Sequence, residues 1–130
     1  MIMVTKLNHK NLKNHQMKST KIYLNFLALS MDLANSTSLP SISPMEEKIL
    51  DLVGIANKNN ERLSIKDLYE NSGIATSSTI FLKIHSLEKK GWLYFEETID
   101  IRRKQVKLTD EALKYFNKLG KAMDKAILLS

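Results

Sequence analysis

Between Ile74 and Thr109 the apolar residues change their period, and that change restricts the chain to few folds. Ile80, Ile84 and Leu87 recur at i, i+4 and i+7, the stripe of one amphipathic helix. Thr76, Ser77, Ser78 and Thr79 stand where the first orphan N–H groups need acceptors, and Lys89, Lys90 and Gly91 stand where a helix ends. From Trp92 the period falls to two. Leu93 and Phe95 alternate with Trp92, Tyr94 and Glu96; further on, Val106 and Leu108 alternate with Gln105 and Lys107. Two such runs flanking a charged tip predict a β-hairpin, and the tip carries Arg102, Arg103 and Lys104. A helix running straight into a hairpin with a basic tip is a shape suited to lying on a nucleic-acid duplex.

Upstream, residues 1–18 are polar, Asn- and Lys-rich and without clear periodicity, which predicts a mobile basic arm, with a helical end as an option. Over 19–34, Ile22, Phe26, Leu29 and Leu33 share a helical face, with Leu24, Leu27, Ala28 and Met31 beside it. So broad an apolar surface predicts burial on more than one side, against a second copy of the chain among other options. Residues 35–43 read as a loop. Ser43, Pro44 and Glu46 form a capping box with proline at N1, opening a helix whose predicted stripe is Met45, Ile49, Leu52, Val53 and Ala56. Arg62 and Leu63 suit a short strand. Ser64 and Asp67 cap a second short helix with Ile65 and Leu68 inward, and Asn71, Ser72 and Gly73 make a turn. Helix, short strand, helix, glycine turn, helix and hairpin is the order of a helix-turn-helix with an added hairpin. Thr109, Asp110 and Glu111 start a last helix, with the predicted stripe Leu113, Phe116, Leu119, Met123 and Ile127. Its row Lys114, Lys118, Lys121 and Lys125 reads either as a solvated face or as a face toward DNA.

The chain has 130 residues, enough for one domain with a real core. No run of about 18 apolar residues is present, so no membrane span is expected, and the first residues lack the apolar segment of a secretory signal. There is no cysteine, which excludes disulfides and thiolate metal sites. Net charge is +6, unevenly placed: +5 over residues 1–31, −4 over 32–100 and +5 over 101–130. Clustered bases of this kind are the footprint of a polyanion binder, although solubility and a disordered tail explain charge equally well. Catalysis has little support. His9, His15 and His85 lack metal-ligand spacing, the four glycines are isolated, and Glu96 and Glu97 point to opposite faces of a strand. No enzyme activity, cofactor or metal is expected.

The segments SIKDLYENSGIATSSTI, LEKKGWL and DIRRKQVKLTDEA resemble winged helix-turn-helix regulators of the multiple-antibiotic-resistance regulator (MarR) type, over roughly Ser43 to Phe116. The sharpest pieces are Leu87–Gly91 and the wing segment with Asp100, Arg102 and Arg103 ending in Leu108–Thr109; Ala112 stands near where a glycine is common. The resemblance implies a mainly α fold with a small β-hairpin. A winged helix-turn-helix domain, a three-helix core plus wing over 43–109, is flanked by an N-terminal helix and loop (19–42) and a C-terminal helix (110–130). It also implies a cytoplasmic, nucleoid-associated homodimer that binds double-stranded DNA as a repressor and responds to a small-molecule effector, with a wing arginine entering the minor groove. The N-terminal helix and Leu119–Leu129 then supply the contact between subunits.

With Ile80, Ile84 and Leu87 inward, the expected DNA face of the recognition helix is Thr76, Ser77, Ser78, Phe81, Leu82 and His85, and that of the wing is Arg102, Arg103 and Lys104. Hydroxyls contact phosphates or base edges, and Phe or Leu packs on a thymine methyl. No Arg, Asn or Gln lies on this helical face, so base discrimination is expected to be modest, with a preference for A·T-rich sites. Phe81 and Leu82 also suit burial by a partner protein. Three classes stay open: a transcription regulator, a winged-helix protein-interaction module, and a plasmid or phage replication or maintenance factor.

Overall fold

The computed structural model describes the backbone of residues 2–71, 73, 75–97 and 103–130, and the side chains of these residues from 12 onward except 71. Five helices and one hairpin follow in the order α1 (Ile2–Ser36), α2 (Pro44–Lys58), α3 (Ile65–Asn71), α4 (Ser77–Lys89), β1 (Leu93–Glu96), β2 (Gln105–Leu108) and α5 (Asp110–Leu128). They form two compact units, one of residues 38–115 and one of 1–37 with 116–130.

The first unit is organised by its helix ends. Ser43 Oγ accepts from the Glu46 N–H while Glu46 accepts from the Ser43 N–H, the capping box the sequence predicts. Ser64 and Asp67 repeat the arrangement at the start of α3. Past the end of α2, the positive φ of Asn60 lets Glu61 N–H reach back to the Ala56 carbonyl. α4 ends the same way at Gly91 (φ 85°): Trp92 N–H bonds the Leu87 carbonyl and Gly91 N–H the Glu88 carbonyl. These reversals fold α2, α4 and the hairpin onto one core, with Ile49, Leu50, Val53, Ile80, Ile84, Leu87 and Val106 almost wholly buried.

The hairpin is antiparallel, with Leu93 opposite Leu108 and Phe95 opposite Val106. The strand expected at Arg62–Leu63 reduces to one bridge, Ser64 to Gln105, with Val106 N–H bonded to the Leu63 carbonyl. Asn57 on α2 locks the hairpin in place: its Oδ1 accepts from Leu108 N–H at 3.0 Å and its Nδ2 donates to the Val106 carbonyl at 3.4 Å. Asn57→Leu leaves a half-buried backbone N–H without its acceptor, so we expect a loss of about 1–2 kcal/mol in urea unfolding; an unchanged midpoint would show that water replaces the amide.

Three details of packing depart from the periodicity. In α2, Leu50 is buried and Leu52 only half-buried; Leu50 lies one turn after Glu46, which also faces inward, toward Ser86 and Lys90. Trp92, which the alternation places outside, is buried: it precedes the strand, its Nε1 donates to the Pro40 carbonyl at 2.9 Å, and its ring meets Tyr115 edge-on. In α5 the predicted Leu113, Met123 and Ile127 are about half exposed, and Ala112, Ala122 and Ala126 are buried instead. The face of α5 that is covered is thus the one carrying the small alanines, and the bulky stripe stays outside.

In the second unit α1 is a single helix from Ile2, not from residue 19. Residues 2–36 contain neither glycine nor proline, so nothing breaks the helix, although its polar first half carries no stripe to reveal it. Asn25 of α1 donates to Ser130 Oγ just past the end of α5 at 3.0 Å, and that hydroxyl donates to the Ala126 carbonyl at 2.8 Å. Among the described residues no helix is long and apolar enough to cross a membrane.

Candidate nucleic-acid interface

α4 is held by its inner face and its C-terminus, and its N-terminus and outer face are open. Ile80, Ile84 and Leu87 are fully buried. Thr76 takes the N-cap backbone conformation, but its hydroxyl bonds no backbone N–H; it sits 3.0 Å from Thr79 Oγ1 and 3.4 Å from Ser78 Oγ. Thr76, Ser77 and Ser78 are exposed. Phe81 is 47% and Leu82 67% exposed.

The C-terminal end is fixed by a buried charge. Glu46 is 3% exposed. Its carboxylate accepts from Ser86 Oγ at 2.9 Å and from Lys90 Nζ at 3.1 and 3.2 Å, besides the Ser43 N–H. Burial alone would push this carboxyl up. The hydrogen bonds from the Ser43 backbone, Lys90, Ser86 and the Ser43 hydroxyl outweigh it and hold the pKa at about 2. A side chain on the first turn of α2 thereby fastens the last turn of α4. Glu46 is visible in the sequence as an N3 residue, but its partners lie 40 and 44 residues away, and no local pattern announces them.

Beside the exposed face is an aromatic row. Phe81 packs on His85 with centroids 4.2 Å apart, His85 meets Phe95 at 5.6 Å, and Tyr69 lies 6.3 Å from Phe81. His85 Nδ1 is 3.6 Å from Glu88 Oε1. His85 is therefore tied to its neighbours, Thr76 and Ser78 share a hydroxyl–hydroxyl contact, and Leu82 is the most exposed apolar side chain of the helix. Tyr69 and Phe95 were not among the expected interface residues; Phe95 alternates inward in the sequence and α3 gave no reason to single out Tyr69.

Of the wing residues, Arg102 and its companion Asp100 lie outside the described residues. Arg103 is exposed. Lys104 is mostly covered, pairs with Glu97 Oε1 at 3.7 Å, and borders a hollow of about 430 Å³ with Ile65, Tyr69, Phe81 and Phe95. Its ammonium thus serves the base of the hairpin. Among the described residues no group of three or more His, Cys, Asp or Glu could hold a metal ion.

No protein-family model matches the sequence, and no curated protein does. Solved structures do match. YusO from Bacillus subtilis has a TM-score of 0.59 at 18% identity, over 95% of this chain and 80% of that one. MepR from S. aureus, bound to ethidium bromide, has a TM-score of 0.59 at 18% identity, over 87% and 74%. A MarR-like transcriptional regulator from Thermotoga maritima has a TM-score of 0.52 at 21% identity, over 85% and 81%. The fold is that of the MarR-type winged-helix regulators, mainly helical with one antiparallel hairpin.

Proposed function

We propose that the protein is a sequence-specific, double-stranded-DNA-binding transcription regulator of MarR type that acts as a homodimeric repressor in the cytoplasm. α4 enters the major groove and the wing, with Arg102 and Arg103, enters the adjacent minor groove. The observation that carries this reading is α4 itself: a helix pinned at its inner face and C-terminus while Thr76, Ser77, Ser78 and Leu82 stand exposed. Exposed hydroxyls at an open helix N-terminus favour phosphate, and Leu82 offers apolar contact for a thymine methyl. The likeness in fold to a MarR-like transcriptional regulator supports the same reading. MepR is bound to ethidium bromide, which supports a small-molecule effector here as well.

The dimer rests on apolar surface. Met17, Leu24 and Met31 are spaced by seven on α1 with Leu27 between them, and all four are exposed. That is a heptad seam without a partner among the described residues. Leu113, Met123 and Ile127 give α5 a second exposed apolar flank.

The test is a mobility-shift titration on random duplex at low salt, followed by selection of bound sequences. Binding with A·T-rich enrichment is expected. No shift at low salt would sink the reading in favour of a winged-helix protein-interaction module, which the exposed Phe81 and Leu82 favour. Enrichment of iterated sites would favour a plasmid or phage replication or maintenance factor. Replacing Arg102 and Arg103 by Ala is expected to weaken binding to all sequences and to reduce the slope of log K against log salt by about 2, roughly 0.9 for each lost phosphate contact. An unchanged slope would remove the wing from the interface.

A further inference from the structure

The net charge of +6 does not lie where the winged helix is. Residues 38–115, the unit of α4 and the wing, carry twelve bases and twelve acids, whereas residues 1–37 with 116–130 carry eight bases and two acids. Five of those eight are Lys6, Lys10, Lys13, Lys18 and Lys21 on α1, and no acid precedes Asp32. We propose that residues 6–21 of α1 make a second contact to double-stranded DNA, gripping its phosphates without reading its sequence. This contact rests on the DNA-binding reading for its ligand, and none of its residues belongs to α4 or the wing.

The helix is bare where these charges stand. Every residue from 12 to 21 is exposed, so the chain itself covers no side of α1 there. Among the described residues no carboxylate pairs with Lys13, Lys18 or Lys21. Spacings of three and four, between Lys6, Lys10 and Lys13 and between Lys18 and Lys21, set like charges side by side, which loosens a helix. No acid in the first turn offsets them. At about 100° per residue the five helix positions fall within an arc of about 140°. A partner laid along that side must be anionic. A second copy does not fit: one heptad before Met17 the apolar seam position becomes Lys10, and the copy offers no acid before its own Asp32. A membrane surface does not fit either, because the helix positions of Ile2, Met3, Val4, Leu7 and Leu12 are scattered round the axis and form no face to insert. A single strand lacks its platform, since residues 1–22 hold no Phe, Tyr or Trp on which bases stack. The backbone of a duplex needs only charge and polar donors, and Asn14, Gln16, Ser19 and Thr20 stand among the lysines.

The experiment titrates the full chain with a random duplex at a series of salt concentrations. Changing the five lysines together to Gln, a comparable helix former, is expected to weaken binding at least about tenfold at low salt and to reduce the slope of log K against log salt by at least about 2, roughly 0.9 for each lost phosphate contact. Affinities for selected and for random duplexes are expected to fall by the same factor, since phosphates carry no sequence. Changing the five to Arg is expected to keep both slope and affinity, with circular dichroism comparing helix content. Amides 6–21 are expected to exchange hydrogen more slowly once duplex is added. An unchanged slope in the Gln variant, an equal loss in the Arg variant, unchanged exchange over 6–21, or tighter binding to phosphatidylserine vesicles or to single-stranded DNA than to the duplex would each overturn the contact. The wing is scored separately. A slope that falls with the lysine variant but not with Arg102→Ala and Arg103→Ala leaves α1 on the DNA and removes the wing; the reverse result keeps the wing and removes α1.

Discussion

Replacing Glu46 by Ala lowers the free energy of unfolding by about 3 kcal/mol, the effect of removing one partner from a buried ion pair while the other stays behind. Lys90 is 29% exposed in its side chain, so part of its charge recovers water, which keeps the loss at the lower end for such pairs. Ser86 Oγ and the Ser43 N–H lose their acceptor as well. The same number follows from titration. A carboxyl whose pKa falls from 4.5 to about 2 on folding contributes about 3 kcal/mol when ionised. Because the folded value is the lower one, the unfolded chain takes up the proton first. The contribution is therefore complete above about pH 5 and fades as pH falls from the unfolded pKa of 4.5 toward 2. Urea unfolding of the natural protein and Glu46→Gln at a series of pH values checks this: the gap between them is expected to narrow steadily below pH 5. A gap that stays constant down to pH 2 would show that Glu46 acts by packing alone. Replacing Glu46 and Lys90 together by Gln and Met is expected to cost less than Glu46→Ala alone, since no unpaired charge remains.

That network also marks where sequence reading stops. Helix ends are legible because their chemistry is local: Ser43 with Glu46, Ser64 with Asp67, and Gly91 after Lys89–Lys90 all close hydrogen bonds within a few residues, and each forms as the spacing predicts. The inner face of α4 and the hairpin alternation are legible because one period is written without competition. α5 is different. Its apolar residues cover two flanks, one built on Ala112, Ala122 and Ala126 and one on Leu113, Met123 and Ile127, and hydrophobicity favours the larger side chains while packing takes the smaller. The full length of α1 is not legible because the scattered apolar residues of its Asn- and Lys-rich first half form no helical stripe. At the candidate interface, the outward position of Ser77, Ser78 and Leu82 follows from which residues point inward. The ties that hold His85 to Phe81, Phe95 and Glu88, and Lys104 to Glu97, join residues whose contact depends on the fold.

Changing Leu24 and Met31 to Glu is expected to convert the proposed dimer into a monomer of 14.9 kDa and to weaken binding to a two-half-site operator at least about 100-fold. Both residues are exposed on α1, 57% and 67%, so the substitutions place charge where the monomer leaves water and disturb no core. The penalty appears when a second copy covers them, because two carboxylates would then be buried without partners. The affinity loss follows from geometry. A monomer carries one α4 and one wing, and α4 offers no bidentate reader of guanine or adenine on its outer face, so a single half-site is held weakly. A dimer presents two such helices at fixed spacing, and the second binding event becomes intramolecular. Sedimentation equilibrium gives the mass, circular dichroism checks that helix content is retained, and mobility shifts on one- and two-half-site duplexes give the coupling. If the double variant sediments as a dimer, the heptad seam of α1 is not the interface. If it is monomeric but binds the two-half-site duplex as tightly as the natural protein, the helices read DNA independently and self-association serves another purpose.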